Sequence, residues 1–547
     1  MSLDYRPLLA WALVALATAV GGCAAISPAG DAGPYVELRI LAINDFHGNL
    51  ETPRNDLGGA AWLAAHLRRA RTDAEHSVIV SAGDLIGATP LISSLFHDEP
   101  TIEFANMLGL DYNGVGNHEF DEGKAELLRM QQGGPHPVDG ETAGGPFRGA
   151  EFLFLAANVI DEDTGDTLLP PYAIQHFDGV PVAFIGLTLE DTPSVASAAA
   201  VEGLSFLDEV ETIDALVGEI RKQGVEAIVV IIHQGGFQRD GGEDDCNDFT
   251  GPIIDIVEKA HPAVDLFVSG HTHRHYLCRV NGRPVTSTGT AGRFYTDIGA
   301  RLDRASGDLT VVSFDNVPVT RDIPPAADVE AFVSRYRSLV ETVSARVVGT
   351  ITGDFTKDQD RAGQSLLGGL IADAQLARSE DAGADVSFMN PGGIRSNLLY
   401  EAAANEQDGE VTFAEIFAVH PFGNHLVTMT LTGEQVLELL EQQWTGAATR
   451  NMMMPSQGFS YAWRRGAEPG ERVVRPSVRL NGQPLDPAAS YRVTVNSFLA
   501  EGGDGFRVLG EGTDRTDGVA DVDALVEYLE LHSPLVPADL DRIRVLP

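Results

Sequence analysis

The stretch Gly116-Asn117-His118-Glu119-Phe120-Asp121 combines an amide, an imidazole and two carboxylates directly after residues 112–115. Residues 112–115 are predicted to form the end of a short strand. An amide oxygen can bind a metal ion, and a nearby imidazole can stabilise charge on a substrate. A carboxylate one turn away can fix the tautomer of that imidazole. A Gly-Asn turn followed by a helix cap explains the stretch equally well, so the choice depends on the rest of the chain.

Four other predicted strands also end in polar residues. The apolar runs are residues 36–43, 78–81, 225–232 and 264–269. The polar residues that follow them are Asp45 and His47, Asp84, His233, and His271 and His273. Helical patterns lie between the runs, which predicts an α/β region with a site at the carboxyl ends of its strands. A single His after a strand is usually a turn residue, but five such endings in chain order favour one shared site.

Together with Asn117, these strand endings supply candidate metal ligands that are all oxygen or imidazole nitrogen. A set without thiolates suits Zn, Mn, Co or Fe rather than a structural zinc knuckle. The set is larger than one tetrahedral ion requires, whereas two divalent metal ions that share a carboxylate fit it. Such a pair activates water at neutral pH and polarises phosphoryl oxygens.

The composition excludes several classes of function. The chain has 547 residues, 79 of them acidic and 38 basic, which gives a net charge of −41. This charge argues against binding of nucleic acid, whose backbone requires a basic surface, and against attraction to anionic lipids. A hydrophobic content of 44% and a charged content of 21% are typical of a globular protein, and the length predicts two or more domains.

Residues 1–34 have the features of an export segment and a tether. The apolar run 8–20 is too short to span a bilayer as a helix and fits a secretory signal. Gly21-Gly22-Cys23 resembles the lipobox of bacterial lipoproteins, so we expect a lipid anchor on Cys23 to be the only membrane attachment. An ordinary cleaved signal peptide, with a periplasmic or extracellular product, is the alternative. The other two cysteines, Cys246 and Cys278, are expected to pair in an oxidising compartment.

The polar strand endings resemble the motifs of the calcineurin-like metallophosphoesterases. The matching segments are Asp45-x-His47, Gly83-Asp84, Gly116-Asn117-His118-Glu119, His233 and Gly270-His271-Thr272-His273. Their wider context is similar to the 5′-nucleotidase branch of that family. The resemblance implies one ion held by Asp45, His47, Asp84 and His273, and a second held by Asp84, Asn117, His233 and His271. It also implies that His118, oriented by Asp121, stabilises the transition state and assists the leaving group.

A second domain is predicted after Pro324-Pro325, where residues 327–347 have one apolar face at helical spacing. Residues 348–547 carry loops that combine glycine with arginine or phenylalanine, which suit contacts to oxyanions and stacking on a base. These loops resemble the C-terminal domain of the 5′-nucleotidases. The resemblance implies that Phe422 and Phe498 sandwich a nucleobase, that Asp504 binds ribose hydroxyls, and that Asn390, Gly393 and Arg395 line the nucleotide site. Arg361 is a weaker match to a further family arginine.

The sequence therefore predicts an α/β protein with four parts. They are an export segment (1–34), a metallophosphoesterase β-sandwich flanked by helices (35–322), a linker helix (323–347) and an α+β substrate-binding domain (348–547). The implied function is an exported dimetal 5′-nucleotidase that hydrolyses nucleoside 5′-monophosphates, with di- and triphosphates as further candidates. UDP-sugar hydrolysis and 2′,3′-cyclic-nucleotide 2′-phosphodiesterase activity at the same site stay open. An inactive surface protein that binds nucleotides or mediates adhesion is the alternative of another class.

Overall fold

The computed structural model describes residues 33–51, 57–142, 145–238, 246–402, 406–444 and 452–547. The predicted signal peptide and the lipid anchor on Cys23 lie outside the described residues. Within the described ranges, the structure contains no helix with the length and apolarity that a bilayer crossing requires.

The first half of the chain contains two six-stranded sheets. The first sheet has, in spatial order, the strands Leu309–Pro318, Phe294–Asp303, Tyr35–Ile43, Ser77–Ser81, Tyr112–Gly114 and Leu153–Leu155. The second has His275–Val280, Arg283–Thr288, Leu266–Ser269, Ala227–His233, Val180–Thr188 and Tyr172–Phe177. In the first sheet the strands from Tyr35–Ile43 to Leu153–Leu155 run parallel, and Phe294–Asp303 and Leu309–Pro318 add antiparallel strands on one side. In the second sheet the four inner strands run parallel, and both edge strands are antiparallel to their neighbours. All five strands predicted to carry polar endings are confirmed.

The two sheets pack face to face, and helices cover both outer faces. Between the sheets, Leu38 and Ile40 of the first sheet share a fully buried core with Phe184 and Val229 of the second. The outer face of the first sheet packs against the helices Ala60–Thr72, Glu99–Leu108 and Ala327–Ser344. The outer face of the second packs against Glu209–Lys222 and Pro252–Lys259. This four-layer arrangement confirms the predicted β-sandwich flanked by helices.

The helix after the proline pair spans Ala327–Ser344, shorter at its end than the predicted 327–347. Its apolar stripe, which includes Val333 and Tyr336, is buried against the first half of the chain. Val347 instead begins a short strand, Val347–Thr350, that pairs with Glu410–Thr412. Burying each large apolar side chain contributes about 1.5–3 kcal/mol, so this stripe holds the helix firmly on the first half.

The second half is built from a five-stranded sheet, a four-stranded sheet and helices on their faces. The five-stranded sheet has the order Met454–Pro455, Val386–Met389, Ser490–Asn496, His425–Thr432 and Thr513–Ala520. The four-stranded sheet has the order Gln483–Pro484, Arg479–Leu480, Phe459–Arg464 and Ile543–Leu546. The helices are Leu366–Arg378, Phe413–Val419, Gly433–Gln442, Ser497–Ala500 and Asp521–His532. This mixture agrees with the predicted α+β domain.

The remaining short elements lie in connections of the first half. They are the helices Leu91–Ser94, Lys124–Gln132 and Thr192–Val195 and the paired strands Val159–Asp161 and Leu204–Phe206. Cys246 and Cys278 form the expected disulfide, with a Cα–Cα distance of 5.7 Å. The bond ties the turn Cys246–Asp248 to the edge strand His275–Val280.

Candidate metal centre and the adjoining cavity

The loops after five strands converge at one edge of the sandwich and bring the predicted ligands into two groups. Ligand atoms of the first group lie within 4.8 Å of one another, and this group consists of Asp45, His47, Asp84 and His273. The second group meets the same distance limit and consists of Asp84, His233 and His271. Asn117 Oδ1 lies 3.1 Å from His271 Nδ1 and so extends the second group. Asp84 belongs to both groups, as the sequence motifs imply.

The ring nitrogens show which ligand atoms face the centre. His47 Nδ1 lies 2.8 Å from the Gly87 carbonyl oxygen, and His233 Nδ1 lies 2.6 Å from that of Ala82. Because a carbonyl oxygen only accepts hydrogen bonds, each Nδ1 carries a proton, and Nε2 is the ring nitrogen left to bind a metal ion. Both Nε2 atoms face Asp84 Oδ2, at 3.6 Å for His47 and 3.0 Å for His233.

In this arrangement imidazole nitrogens face carboxylate oxygens and one another, and a cation bound between them would stabilise it. His233 Nε2 is buried and has no hydrogen-bond partner among the described residues. His47 Nε2 and His273 Nε2 lie 3.2 Å apart, and His273 Nε2 lies 3.3 Å from Asp45 Oδ1. Oxygen and imidazole donors in two groups of this size fit two divalent metal ions that share Asp84. The donor set does not distinguish Zn from Mn, Co or Fe.

The electrostatics point in the same direction. Burial alone lowers the pKa of His233, but the nearby Asp84 carboxylate outweighs burial and raises it to about 10. Burial alone raises the pKa of Asp84, but His233 and His118 hold it well below its ordinary value. Burial lowers the pKa of His271 to about 3, so this ring is neutral, as a metal-binding imidazole must be. The negative potential that retains a proton on His233 also favours a metal cation at the same place.

The backbone is strained at most of these ligands. The φ angles of Asp45, His47, Asp84, His271 and His273 are 47°, 46°, 51°, 72° and 55°. Residues other than glycine rarely adopt such left-handed conformations, which cost on the order of 1–3 kcal/mol each. The surrounding packing holds them there, and strain of this kind is typical of functional sites.

Glu119, to which the sequence analysis assigned no role, holds the two central loops together. Its buried carboxylate accepts hydrogen bonds from the backbone N–H groups of Asp84, Leu85 and Gly116 at 2.9, 2.9 and 2.7 Å. It also accepts one from Asn113 Nδ2 at 3.1 Å. Four donors on one carboxylate fix the loops that carry Asp84 and Asn117. Glu119 is part of the motif 116–121, but the residues that donate to it lie in separate segments of the chain, so the motif alone does not indicate this role.

The tight approach of these loops explains two of the motif glycines. A Cβ on Gly116 would lie 2.2 Å from Asp84 Oδ1, and a Cβ on Gly83 would lie 2.6 Å from the Gly116 nitrogen.

Asn44, to which no role was assigned from the sequence, positions the predicted ligand Asp45 by hydrogen bonds. Its Nδ2 donates to Asp45 Oδ2 at 2.6 Å, and its Oδ1 accepts from the Thr288 N–H at 2.7 Å.

His118 and Asp121 form the pair that the resemblance implies. His118 Nδ1 lies 2.9 Å from Asp121 Oδ2, which leaves Nε2 as the free ring nitrogen. The following helix, Lys124–Gln132, begins after Gly123, so Asp121 is not its N-cap. Burial lowers the pKa of His118, but Asp121 and Asp84 outweigh it and raise the pKa above its ordinary value. This imidazole is therefore suited to hold a proton.

A cavity of about 440 Å³ adjoins the second ligand group and is lined from both halves of the chain. Its lining includes Asn117, His118, Asp121 and His271 from the first half and Asn390, Gly393, Arg395, Phe422, Phe498 and Asp504 from the second. Arg361 is exposed and is not among its lining residues, so the structure does not bring this predicted residue to the cavity.

The polar and aromatic groups of this cavity, which we call the clamp cavity, are held in place by their neighbours. The Phe422 ring lies nearly parallel to the His118 ring, with centroids 5.8 Å apart. Asn390 Nδ2 donates to Asp504 Oδ2 at 2.7 Å. Asn424, which the sequence analysis did not single out, accepts from the Phe498 N–H at 3.3 Å through its Oδ1 and thereby joins the two aromatic loops.

Arg395 connects the clamp cavity to the metal ligands. Its Nη2 lies 3.4 Å from His47 Nε2, and its guanidinium carbon lies 5.6 Å from the centre of the Phe422 ring. Burial lowers the pKa of Arg395, but an arginine stays charged at any physiological pH. A planar cation at this position can bind two oxygens of a phosphate that lies between the base site and the metal centre.

Comparison with known proteins gives the same division of the chain. Residues 38–275 match the calcineurin-like phosphoesterase family, and residues 347–511 match the 5′-nucleotidase C-terminal domain. The chain is 31% identical over 526 residues to Endonuclease YhcR of Bacillus subtilis, covering 93% of the chain but only 41% of that protein. It is 31% identical over 534 residues to the cell wall protein Lmo0130 of Listeria monocytogenes, covering 91% of the chain and 68% of that protein.

Among solved structures, the chain resembles the 5′-nucleotidase precursor of Thermus thermophilus. The TM-score is 0.76 at 27% sequence identity, and the similarity covers 93% of this chain and 99% of that one. The likeness therefore includes both halves of the molecule and the helix between them.

Proposed function

The chain belongs to the 5′-nucleotidase family, and from this premise we propose that it hydrolyses nucleoside 5′-monophosphates to nucleoside and phosphate. The observation that carries the proposal is the position of the clamp cavity directly beside the second of two ligand groups that share Asp84. In this proposal residues 35–322 supply the hydrolytic centre, residues 323–347 join the halves, and residues 348–547 bind the nucleoside.

The chain's own side chains account for binding and proton transfer. Two divalent ions, when bound, supply an activated water and polarise the phosphoryl oxygens. Arg395 binds the phosphate, and the clamp phenylalanines hold the base, so that the phosphorus is placed at the centre. His118, whose Nδ1 is fixed by Asp121, presents Nε2 toward the bond that breaks and gives its proton to the leaving ribose oxygen. Binding energy from the base thereby contributes to the rate of the chemical step.

Asp504 and Asn390 are suited to recognise the sugar. Asp504 Oδ2 already accepts a hydrogen bond from Asn390, and the same carboxylate lies at the cavity wall. An ionised carboxylate accepts two hydrogen bonds from neighbouring hydroxyls, as a ribose offers them. We assign Phe422 and Phe498 to the base, because stacking on an aromatic ring contributes about 1–3 kcal/mol for any base.

We further infer that the protein is exported and acts in the cell envelope. The Cys246–Cys278 disulfide supports this, since such bonds persist in oxidising compartments. The similarity to a relative described as a cell wall protein supports it too. A lipid on Cys23 is the proposed anchor, and mass spectrometry of the mature N-terminus tests it.

Hydrolysis of AMP, UDP-glucose and 2′,3′-cyclic AMP, measured by chromatography of the nucleotide and nucleoside products and by phosphate release, tests the function with and without a chelator. We expect AMP to be hydrolysed and chelation to abolish the activity. Preferred hydrolysis of UDP-glucose or the cyclic nucleotide would assign the same centre to those substrates. Binding of all three without turnover would instead favour an inactive surface protein.

A further inference from the structure

A second cavity, of about 410 Å³, adjoins the other ligand group. His47 and His273 line it, whereas Asn117 and His271 line the clamp cavity. Each ligand group therefore opens onto a cavity of its own. Arg395 lines both cavities.

This second cavity is strongly basic in a strongly acidic protein. Three cations line it, namely Arg293, Lys357 and Arg395, and among the described residues its lining contains no Asp or Glu. The chain as a whole has 79 acidic and only 38 basic residues. Three unopposed basic side chains around one cavity are therefore not what the composition alone would produce. The lining also contains Asn397, whose Oδ1 accepts from the Lys357 N–H at 2.9 Å and whose Nδ2 is a neutral donor.

Among the described residues, none of the three cations forms a direct ion pair with a carboxylate, and Arg293 Nε is buried without a hydrogen-bond partner. Carboxylates act on two of them without direct contact, namely Asp84, Asp121 and Asp45 on Arg395, and Asp358 on Lys357. Lys357 Nζ donates to the backbone carbonyl of Arg395 at 3.1 Å. Burial, together with the charges of Arg395 and Arg293, lowers the pKa of Lys357. Bringing three like charges together is unfavourable unless an anion binds between them.

We propose that this cavity is a second oxyanion subsite, which takes a phosphate group beyond the phosphorus that is cleaved. The proposal rests on the proposed function, because that function places the reacting phosphorus at the metal centre and the nucleoside in the clamp cavity. When the substrate is a monophosphate ester, the basic cavity is empty until hydrolysis and can then bind the departing orthophosphate. A substrate with a second phosphate on the far side of the reacting phosphorus reaches Arg293 and Lys357.

The anion is either a distal phosphate of the substrate or the departing orthophosphate, and both are phosphate oxyanions. Binding measurements distinguish the two. Isothermal titration calorimetry of the metal-loaded protein is carried out with orthophosphate and with methylenebisphosphonate, which cannot be hydrolysed. The double variant Arg293→Met/Lys357→Met removes two of the cations. Lys357→Arg keeps the positive charge. Lys259→Met is the control and removes an exposed cation from the helix Pro252–Lys259. Thermal melting establishes that each variant is folded, and the two single variants replace the double one if it is not.

We expect the double variant to bind methylenebisphosphonate more weakly by a factor on the order of 10 to 100, the range for lost charge-assisted hydrogen bonds. If its orthophosphate affinity is unchanged, the subsite serves a distal phosphate. If both affinities fall alike, it serves the departing product. Lys357→Arg should retain the wild-type affinities, as should Lys259→Met. Unchanged affinity for both anions in the double variant would overturn the proposal.

This experiment does not depend on turnover. Failure of the wild-type protein to hydrolyse AMP would count against the proposed function but would leave the calorimetric comparison valid. Conversely, hydrolysis of AMP together with unchanged anion binding in the double variant would reject the subsite alone.

Discussion

Replacing Glu119 by glutamine changes one oxygen into an NH₂ group and leaves the shape of the side chain intact. In the wild type each carboxylate oxygen accepts two hydrogen bonds, with Asp84 and Gly116 donating to Oε2 and Leu85 and Asn113 donating to Oε1. A glutamine retains one acceptor oxygen, so two of these donors face an NH₂ group instead. Hydrogen bonds to a charged group contribute about 1.5–3 kcal/mol each, so losing two costs about 3–6 kcal/mol.

The loss should affect the metal ligands as well as stability. Glu119 ties the loop that carries Asp84 to the loop that carries Asn117, and both are predicted ligands. Partners that orient metal ligands typically contribute a factor of about 10 to 100 in metal affinity. Glu119→Gln is therefore expected to lower the unfolding midpoint of the first half and to weaken metal binding together.

Urea unfolding followed by circular dichroism, and metal titration with a competing chelator, measure the two effects. Burial and the charge of Asp84 raise the pKa of Glu119 to about 7, so the comparison is made at about pH 8, where the carboxylate is mostly ionised. Glu126→Gln is the matched control, because this buried glutamate is held by Arg129 and belongs to none of the candidate metal-binding groups among the described residues. If the two variants behave alike in both measurements, Glu119 does not organise the site.

Three further results are expected. Asp84→Asn removes the charge that both ligand groups share, so the metal content should fall from about two ions to at most one per chain; Asp163→Asn, on the surface, should leave it unchanged. Phe498→Ala should lower kcat/KM for AMP on the order of 10-fold or more, the effect of losing one stacked base. It should leave p-nitrophenyl phosphate, which has no base, nearly unaffected. Burial raises the pKa of Asp521 to about 7 from 3.8, so the folded state keeps a proton that the unfolded chain releases, and stability falls as pH rises between these values. Asp521→Asn removes this pH-dependent contribution to stability, whereas the buried neighbour His420 is present in both proteins. The melting temperature of Asp521→Asn relative to wild type should therefore rise from about pH 5 to about pH 7; a constant difference would contradict the argument.

The sequence predicted most of the ligand positions because they follow strands that are easy to recognise. The runs before Asp45, Asp84 and His233 are apolar and β-branched, and each forms a buried strand. Motif spacing then identified the residues that follow. Strand starts were less certain, and the strand predicted from residue 264 begins at Leu266.

Other features depend on contacts between distant segments and could not be read from one stretch of sequence. The role of Glu119 requires the loops after two strands to meet around one carboxylate. The basic cavity requires Arg293 and Lys357, from different halves of the chain, to line the same space. Arg361 is the opposite case, because its match in sequence predicted a place at the nucleotide site, whereas in the structure it is exposed and does not line the clamp cavity. Its predicted role stays untested.

A chain with a net charge of −41 must still attract phosphates, and distance explains how it can. Surface charges more than about 8–10 Å from a bound anion are largely screened at physiological salt. A cation at about 4 Å contributes roughly 4 kcal/mol at an effective dielectric constant of about 20. Arg395, Arg293 and Lys357 therefore outweigh a far larger number of distant carboxylates, and the metal ions at the ligand groups add to them. If this reasoning is right, raising the ionic strength above the physiological value should change nucleotide affinity only slightly, because the local contacts are shorter than the screening length. Stronger binding at high salt would show that the acidic surface dominates instead.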